Sequence, residues 1–318
     1  MQDDVSVFDP DLADLPKRGW LAKLAEVSAA EGFFRPLGKR HFATHVARSD
    51  TLLVTFETIQ GIRALSGTSE PVGWELVRSN GWSHLGVVSD GDTWFRDRNV
   101  FGFFDQLIDD GFFDAFDTIL FYGAGPCAYA AAAYSVAAPG ARVVAIQPQA
   151  TLDPRVTEWD DRFVEMRRTD FTSRYGYAPD MLDACDAAFV LYDPAEAFDA
   201  MHAALFTRAG VTKLRMRNMG DAIQSDMMAM DILQPLLEHA AEGTLNDLSF
   251  AQLYRARRGN RAYLRRTMAA LDARNRPGLV EMLATNVTSR MKAPRFQRRL
   301  AEIHAARQQE STEGTPTL

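Results

Sequence analysis

Cysteine is nearly absent from this chain: Cys127 and Cys185 are the only two in 318 residues. That scarcity excludes a disulfide framework and fits a reducing compartment. With no Cys/His set nearby it also excludes a structural zinc site, and neither metal nor cofactor is expected. Long apolar runs are missing as well; no stretch approaches the roughly 18 residues that a membrane span requires. The opening MQDDVSVFDPDLADLP is acidic and has no apolar core, so no secretory signal is expected and the expected location is cytoplasmic. Histidine is scarce, six in all, which limits the choice of general bases near neutral pH.

What the chain does have is an ordinary globular composition, 47% hydrophobic and 24% charged, with twenty phenylalanines for a core. Its charge is uneven. Residues 244–307 carry fourteen Lys/Arg against four Asp/Glu, a net +10, whereas residues 1–243 carry a net −15. Such a basic segment is expected to dock on the acidic body of its own chain, to join a second copy in a homo-oligomer, or to meet an anionic partner. No nucleic-acid-binding motif accompanies the arginines, which argues against nucleic acid.

Short apolar runs at Thr51–Phe56, Leu85–Val88, Thr118–Tyr122, Val143–Gln147, Ala187–Tyr192 and Val211–Met216 read as buried strands. Between most of them lie amphipathic stretches: Val100–Gly111, Ala128–Ala138, Pro194–Arg208 and Ala222–Ala241. Near-continuous apolar strands alternating with helices predict an α/β fold, a doubly wound, mostly parallel sheet covered on both faces. Residues 1–50 read as a lead-in with a helix at Trp20–Glu31 and polar loops holding His41 and His45. Residues 51–243 read as the core, 244–307 as a basic helical appendage, and 308–318 as a disordered tail.

The chemistry concentrates at FYGAGPCAYAAAAYS, Phe121–Ser135, where a strand runs into an Ala-rich helix. Three readings compete. Gly123, Gly125 and Ala128 fit the G-x-G-x-x-A dinucleotide fingerprint, but two strands precede this one, and the next ends in Gln147-Pro148-Gln149 with no acid for a ribose. As a nucleophile elbow, G-x-S-x-G, the turn has Gly125 at the nucleophile position and Cys127 at the second glycine. As a thiol site, Cys127 lies in the first turn of a helix, where the dipole lowers a thiol pKa, with Asp193 or Asp221 nearby. The bland alternative for Cys127 is a small residue packed under the helix. If the tip requires a positive φ, glycine adopts it at no cost, and the helix N–H groups there could hold an anion without catalysis.

The stretch FYGAGPCAYAAAAYSVAAPGARVVAIQPQATLDP resembles the elbow, helix and following strand of bacterial α/β-hydrolase-fold proteins, whose active members read roughly G-x-S-M-G-G-Y-A-A. LYDPAEAFDAMH resembles the strand that delivers the triad acid, placing Asp193 there, and VTKLRMRNMGDAIQ resembles the segment carrying the triad histidine, placing Asp221 there. The resemblance covers about residues 50–240. It implies an α/β-hydrolase fold with a C-terminal helical appendage, an intact acid position, and neither nucleophile nor histidine. It also puts Glu57 and Thr58 where an oxyanion donor would sit. The implied protein is a pseudoenzyme that binds a small molecule or protein partner through Gly123, Gly125, Glu57 and Thr58. A thiol-dependent hydrolase or acyltransferase using Cys127 is the enzyme alternative. RYGYAPDM, Arg174–Met181, resembles chains labelled phosphoadenosine phosphosulfate reductase, the nucleotide-binding alternative; such reductases carry a Ser/Gly-rich pyrophosphate loop and a cysteine near the C-terminus, and this chain has neither. Trp94, Arg96 and Asp97 are candidates for a pocket rim, and Arg168, Asp170, Arg174, Tyr175 and Tyr177 for a cap over it. His202 is expected in a surface or packing role.

Overall fold

A computed structural model describes residue 8 and residues 10–313, with side chains through residue 309. It divides into two compact units, Met1–Arg255 and Ala256–Leu318.

The first unit begins with helix α1 (Lys17–Glu31), which leads straight into strands β1 (Gly32–Leu37) and β2 (His41–Val46). Strand β3 (Thr51–Thr58) is followed by helices α2 (Ile59–Leu65) and α3 (Gly73–Asn80), then β4 (Ser83–Ser89), α4 (Arg98–Asp109) and β5 (Thr118–Ala124). Next come α5 (Pro126–Tyr134), β6 (Arg142–Ile146), the single turns α6 (Pro154–Thr157) and α7 (Ala178–Met181), β7 (Ala187–Tyr192), α8 (Ala197–Leu205) and β8 (Val211–Arg215). Helices α9 (Ile223–Ala229), α10 (Leu233–Ala241) and α11 (Asp247–Leu253) close the unit. All six expected strands are present. The expected helix Ala222–Ala241 is two helices, broken where Asp231 takes φ +55.

The eight strands form one sheet in the order β1-β2-β4-β3-β5-β6-β7-β8. Strand β2 runs antiparallel to both neighbours, and every pairing from β4 onward is parallel. This is the α/β-hydrolase fold. The polar loops expected around His41 and His45 are instead the β1–β2 hairpin, and β2 is buried along its whole length. The reason is tertiary: pairing with β1 and β4 on both edges satisfies the backbone, and the His45 ring packs against Phe33, Phe112 and Phe116. Burial pushes His45 down to about 4, so the ring sits there neutral.

Helix α5 is the central packing element. Its alanines and both tyrosines are fully buried, and small side chains let it lie close to β5 and β6. Contact is closest at Gly123, where a Cβ would lie 2.2 Å from the Cys127 carbonyl oxygen. Tyr134 donates its hydroxyl to the Phe95 carbonyl at 2.6 Å, and the Tyr129 hydroxyl donates to the Tyr175 carbonyl. Only Gly fits at position 123.

The second unit packs α12 (Arg261–Ala273), α13 (Pro277–Arg290) and α14 (Pro294–Glu313) around Leu264, Ala284, Val287 and Phe296. Asn260 caps α12 by accepting from the Tyr263 N–H, and Pro277 takes the first helical position of α13, where its missing N–H costs nothing. The tail expected to be disordered from Gln308 is helical as far as Glu313; residues 314–318 lie outside the described residues. Among the described residues no helix is long and apolar enough to cross a membrane.

Replacing Gly123 with Ala forces a methyl group into the backbone of α5, so denaturant unfolding is expected to show a loss of about 1–3 kcal/mol. An unchanged midpoint would mean that α5 does not approach β5 as closely as described.

Candidate functional site

The C-terminal ends of β3, β5, β6, β7 and β8 share one edge of the sheet, and the loops leaving them enclose a cleft. At its centre is the β5–α5 turn. Gly125 stands at φ +59, ψ −126, a conformation that costs an L-residue strain and glycine little. Its N–H donates to the Ile146 carbonyl at 2.8 Å, tying the tip to β6. A Cβ at Gly125 would meet nothing within 4 Å, because the tip faces open space. Pro126 follows as the first helical residue and has no N–H to offer.

On one side of the tip lies a recess of about 360 Å³ lined by Gly125, Gln147, Gln149, Arg162, Asp199 and Asp221, among others. Asp221 is exposed there. Among the described residues no histidine lines this recess. Asp193, expected as the triad acid, is 1% exposed and lies beneath the cleft. Both its oxygens are occupied by backbone: Oδ1 accepts from the Ala195 N–H at 2.9 Å and Oδ2 from the Gly220 N–H at 2.8 Å. It clamps the loop after β8 onto the end of β7.

The other side is a narrow cavity of about 120 Å³ that brings Glu57, Thr58 and Cys127 together, with Phe56, Asp92 and Gln224. Thr58 caps α2 by accepting from the Gly61 N–H at 2.9 Å. Glu57 is 7% exposed; its Oε1 accepts from Thr55 Oγ1 at 2.9 Å and its Oε2 from the Val72 N–H at 3.1 Å. His84 Nε2 lies 2.8 Å from the same Thr55 hydroxyl. Burial outweighs those hydrogen bonds and pushes the Glu57 carboxyl up to about 7.

Cys127 does sit in the first turn of α5, but the expected lowering of its thiol pKa is not found. Burial first, then the carboxylates of Glu57 and Asp92, push it well above the ordinary thiol value. Helix-end charge is too weak to offset desolvation beside two acids. Gly123, expected to touch ligand, serves the packing of α5 on β5 instead.

Nor do the other candidates reach the cleft. Trp94 is fully buried and donates its indole N–H to Gln149 at 3.1 Å; Asp97 caps α4. Arg96 donates to the carbonyls of Asp170 and Arg174, pinning that segment against α5 rather than over the tip. The cleft wall comes from the segment before it. Arg162 is held by Asp160 at 2.8 Å and by Asp199 at 2.7 Å, and its guanidinium lies over the Phe163 and Phe198 rings. His202 is fully buried, not on the surface: its Nδ1 accepts from the Ala150 N–H, so Nε2 carries the proton toward Asp160, 2.9 Å away. Burial alone would raise the Asp160 carboxyl, yet the hydrogen bonds from His202 and Arg162 hold it well below the usual range. Sequence spacing gave little sign of this network, because its members lie on two connections: Ala150, Asp160 and Arg162 between β6 and β7, and Asp199 and His202 between β7 and β8. The N–H lost at Pro126, by contrast, was visible beside Gly125.

Because the Glu57 carboxyl titrates near 7 when folded and near its ordinary value when unfolded, it lowers stability as pH rises from about 4.5 to about 7. Glu57→Gln should therefore gain on the parent protein across that window, by up to about 3 kcal/mol at neutral pH. Urea titrations of both proteins at several pH values measure it; a constant difference would show that folding does not shift the Glu57 pKa.

No protein family and no curated protein matches this sequence. Similar solved structures include an acylaminoacyl peptidase of Pyrococcus horikoshii (9% identity, TM-score 0.49), with 70% of this chain and 43% of that one aligned. An esterase of Pyrobaculum calidifontis is similar over 78% of this chain and 92% of its own (15% identity, TM-score 0.40). The capsule O-acetyltransferase of Neisseria meningitidis serogroup A is similar over 61% and 91% (10% identity, TM-score 0.39). This chain thus spans less than half of the peptidase.

Proposed function

We propose that this chain is a non-hydrolytic protein on the α/β-hydrolase fold that binds a small molecule in the cleft around Gly125. The observation that carries the reading is the Gly125-Pro126 pair. An elbow needs a nucleophilic side chain at its tip and a backbone N–H on the next residue to hold the oxyanion. Glycine supplies no nucleophile and proline no N–H, while the tip keeps the backbone conformation and the open space of an elbow. Asp221 stands where a histidine would carry the proton, and Asp193 has spent both oxygens on backbone amides. The residues that would do the chemistry are gone; the cleft they would have served is not.

The alternatives draw no support from the same site. A thiol mechanism needs a thiolate and a base, and Cys127 is buried beside two carboxylates that keep its proton on. A nucleotide reading needs cations or a run of free N–H groups for phosphates, and acids predominate around this helix N-terminus.

Purified protein is expected to leave a panel of p-nitrophenyl esters at the uncatalysed rate, and Gly125→Ser alone should not change that, since no imidazole is within reach. Turnover by the parent protein, surviving further purification and abolished by Cys127→Ala, would refute the non-hydrolytic reading.

A further inference from the structure

The narrow cavity beside Glu57 has a neighbouring cavity on each side. It shares Leu65, Pro126 and Gln224 with the recess over Gly125, and Ser66, Val72 and Met228 with a third cavity of about 410 Å³. That third cavity is bounded by the α2–α3 segment and by α9–α10, and its wall mixes Leu76, Leu233, Pro235 and Leu237 with polar side chains such as Glu75 and Asp231. The three cavities adjoin in a bent row, and the arm between α3 and α10 offers Leu76, Leu233, Pro235 and Leu237 as apolar surface.

Charge along the row is one-sided. Carboxyls of Glu57, Asp92, Asp221 and Asp231 line it, and among the described residues none of them has a cationic partner. Two guanidiniums are present and each is already committed: Arg78 to Glu70 and Glu75, Arg162 to Asp160 and Asp199. An anionic head group would find no free cation here. Glu57 is the unusual member, since buried carboxyls are normally paired with a cation, and this one has only a hydroxyl and an amide. A second buried group lies beside it. Thr55 and Tyr122 are register partners in β3 and β5, so the Tyr122 side chain shares the sheet face of Thr55 and Glu57. Its hydroxyl is fully buried, lies near Glu57, Cys127 and Gln224, and has no hydrogen-bond partner of ordinary geometry.

Resting on the binding reading above, we propose that this row of cavities takes a cationic amphiphile, with a protonated amine against Glu57 and an apolar body in the arm between α3 and α10. An ammonium group has three donors and no acceptor. The Glu57 carboxylate accepts from a hydroxyl and an amide but from no cation, so it retains lone pairs for a charged donor. Binding supplies the missing cation to a buried acid, which is costly while unpaired. The positive end of α5 opposes a cation, but helix-end charge is weak beside a full carboxylate charge, and Pro126 offers no N–H there.

Calorimetric titration of the full chain with octylammonium, octanol and octanoate separates charge from chain, at about pH 8 where amine and carboxylate are both ionised. Octylammonium should bind at least about tenfold more tightly than octanol, with octanoate weakest. Glu57→Gln should remove about tenfold of the octylammonium affinity and leave octanol unchanged, whereas Met228→Trp, at the junction of two cavities, should weaken both. If Glu57→Gln does not fold, the exposed Asp92→Asn makes the same comparison, with a loss of about two- to threefold for octylammonium alone. Octanoate binding as tightly as octylammonium, equal octylammonium affinity in the Glu57 variant, or no binding of any of the three would overturn the proposal. Ester turnover measured on the same samples bears on the non-hydrolytic reading alone, so the two can fail separately.

Discussion

The contact on which the cleft depends is the Cys127 carbonyl lying against the bare Cα of Gly123. It brings the first turn of α5 down onto β5 with no side chain between them, and the chain can leave the strand and enter the helix that closely only by turning sharply at Gly125. The sharp turn in turn projects the tip into open space, with the recess on one flank and the Glu57 cavity on the other. Further along the helix, Tyr129 and Tyr134 reach out to the carbonyls of Tyr175 and Phe95, so the loops after β4 and before β7 are set by the same helix. Displacing α5 would move the tip and both loops together.

Around that frame the acids have taken structural work. Asp193 spends its two oxygens on the amides of Ala195 and Gly220 and so fixes the end of β7 to the loop after β8. Asp160 and Asp199 immobilise Arg162, and His202 completes the buried end of that network. What these pairings leave over is a cleft whose remaining carboxyls outnumber its available cations. Desolvation makes that imbalance felt most at Glu57, where burial leaves little solvent to screen the charge.

Much of this was legible in the chain, and the misses share a cause. The six apolar runs from Thr51 to Met216 announce their strands because strands covered on both faces must be continuously apolar. β2 escaped because HFATHV carries two histidines, whose burial is tolerable only once β1 and β4 enclose them. α2 and α3 were missed since seven and eight residues are too few to show a period. At the site, Gly125, Asp193 and Asp221 follow β5, β7 and β8 in the chain, yet nothing in their spacing reveals that Asp193 accepts from amides. Arg162 lies two residues from Asp160, but Asp199 and His202 come from the next connection, and chain spacing does not join them to it.

The sequence by itself determined the alternation of strands and helices, the glycine at the tip with proline behind it, and an aspartate, Asp221, in the loop after β8. Those are properties of residue types and order, and local sterics and patterning suffice to read them. Only the tertiary structure decided that Cys127 keeps its proton, that Asp193 is a clamp, and that Glu57 is a buried acid without a cation. Each of these depends on how much water is removed and which charges remain within a few ångströms. Chain separation carries no information about either, because both are set by packing between segments distant in the sequence.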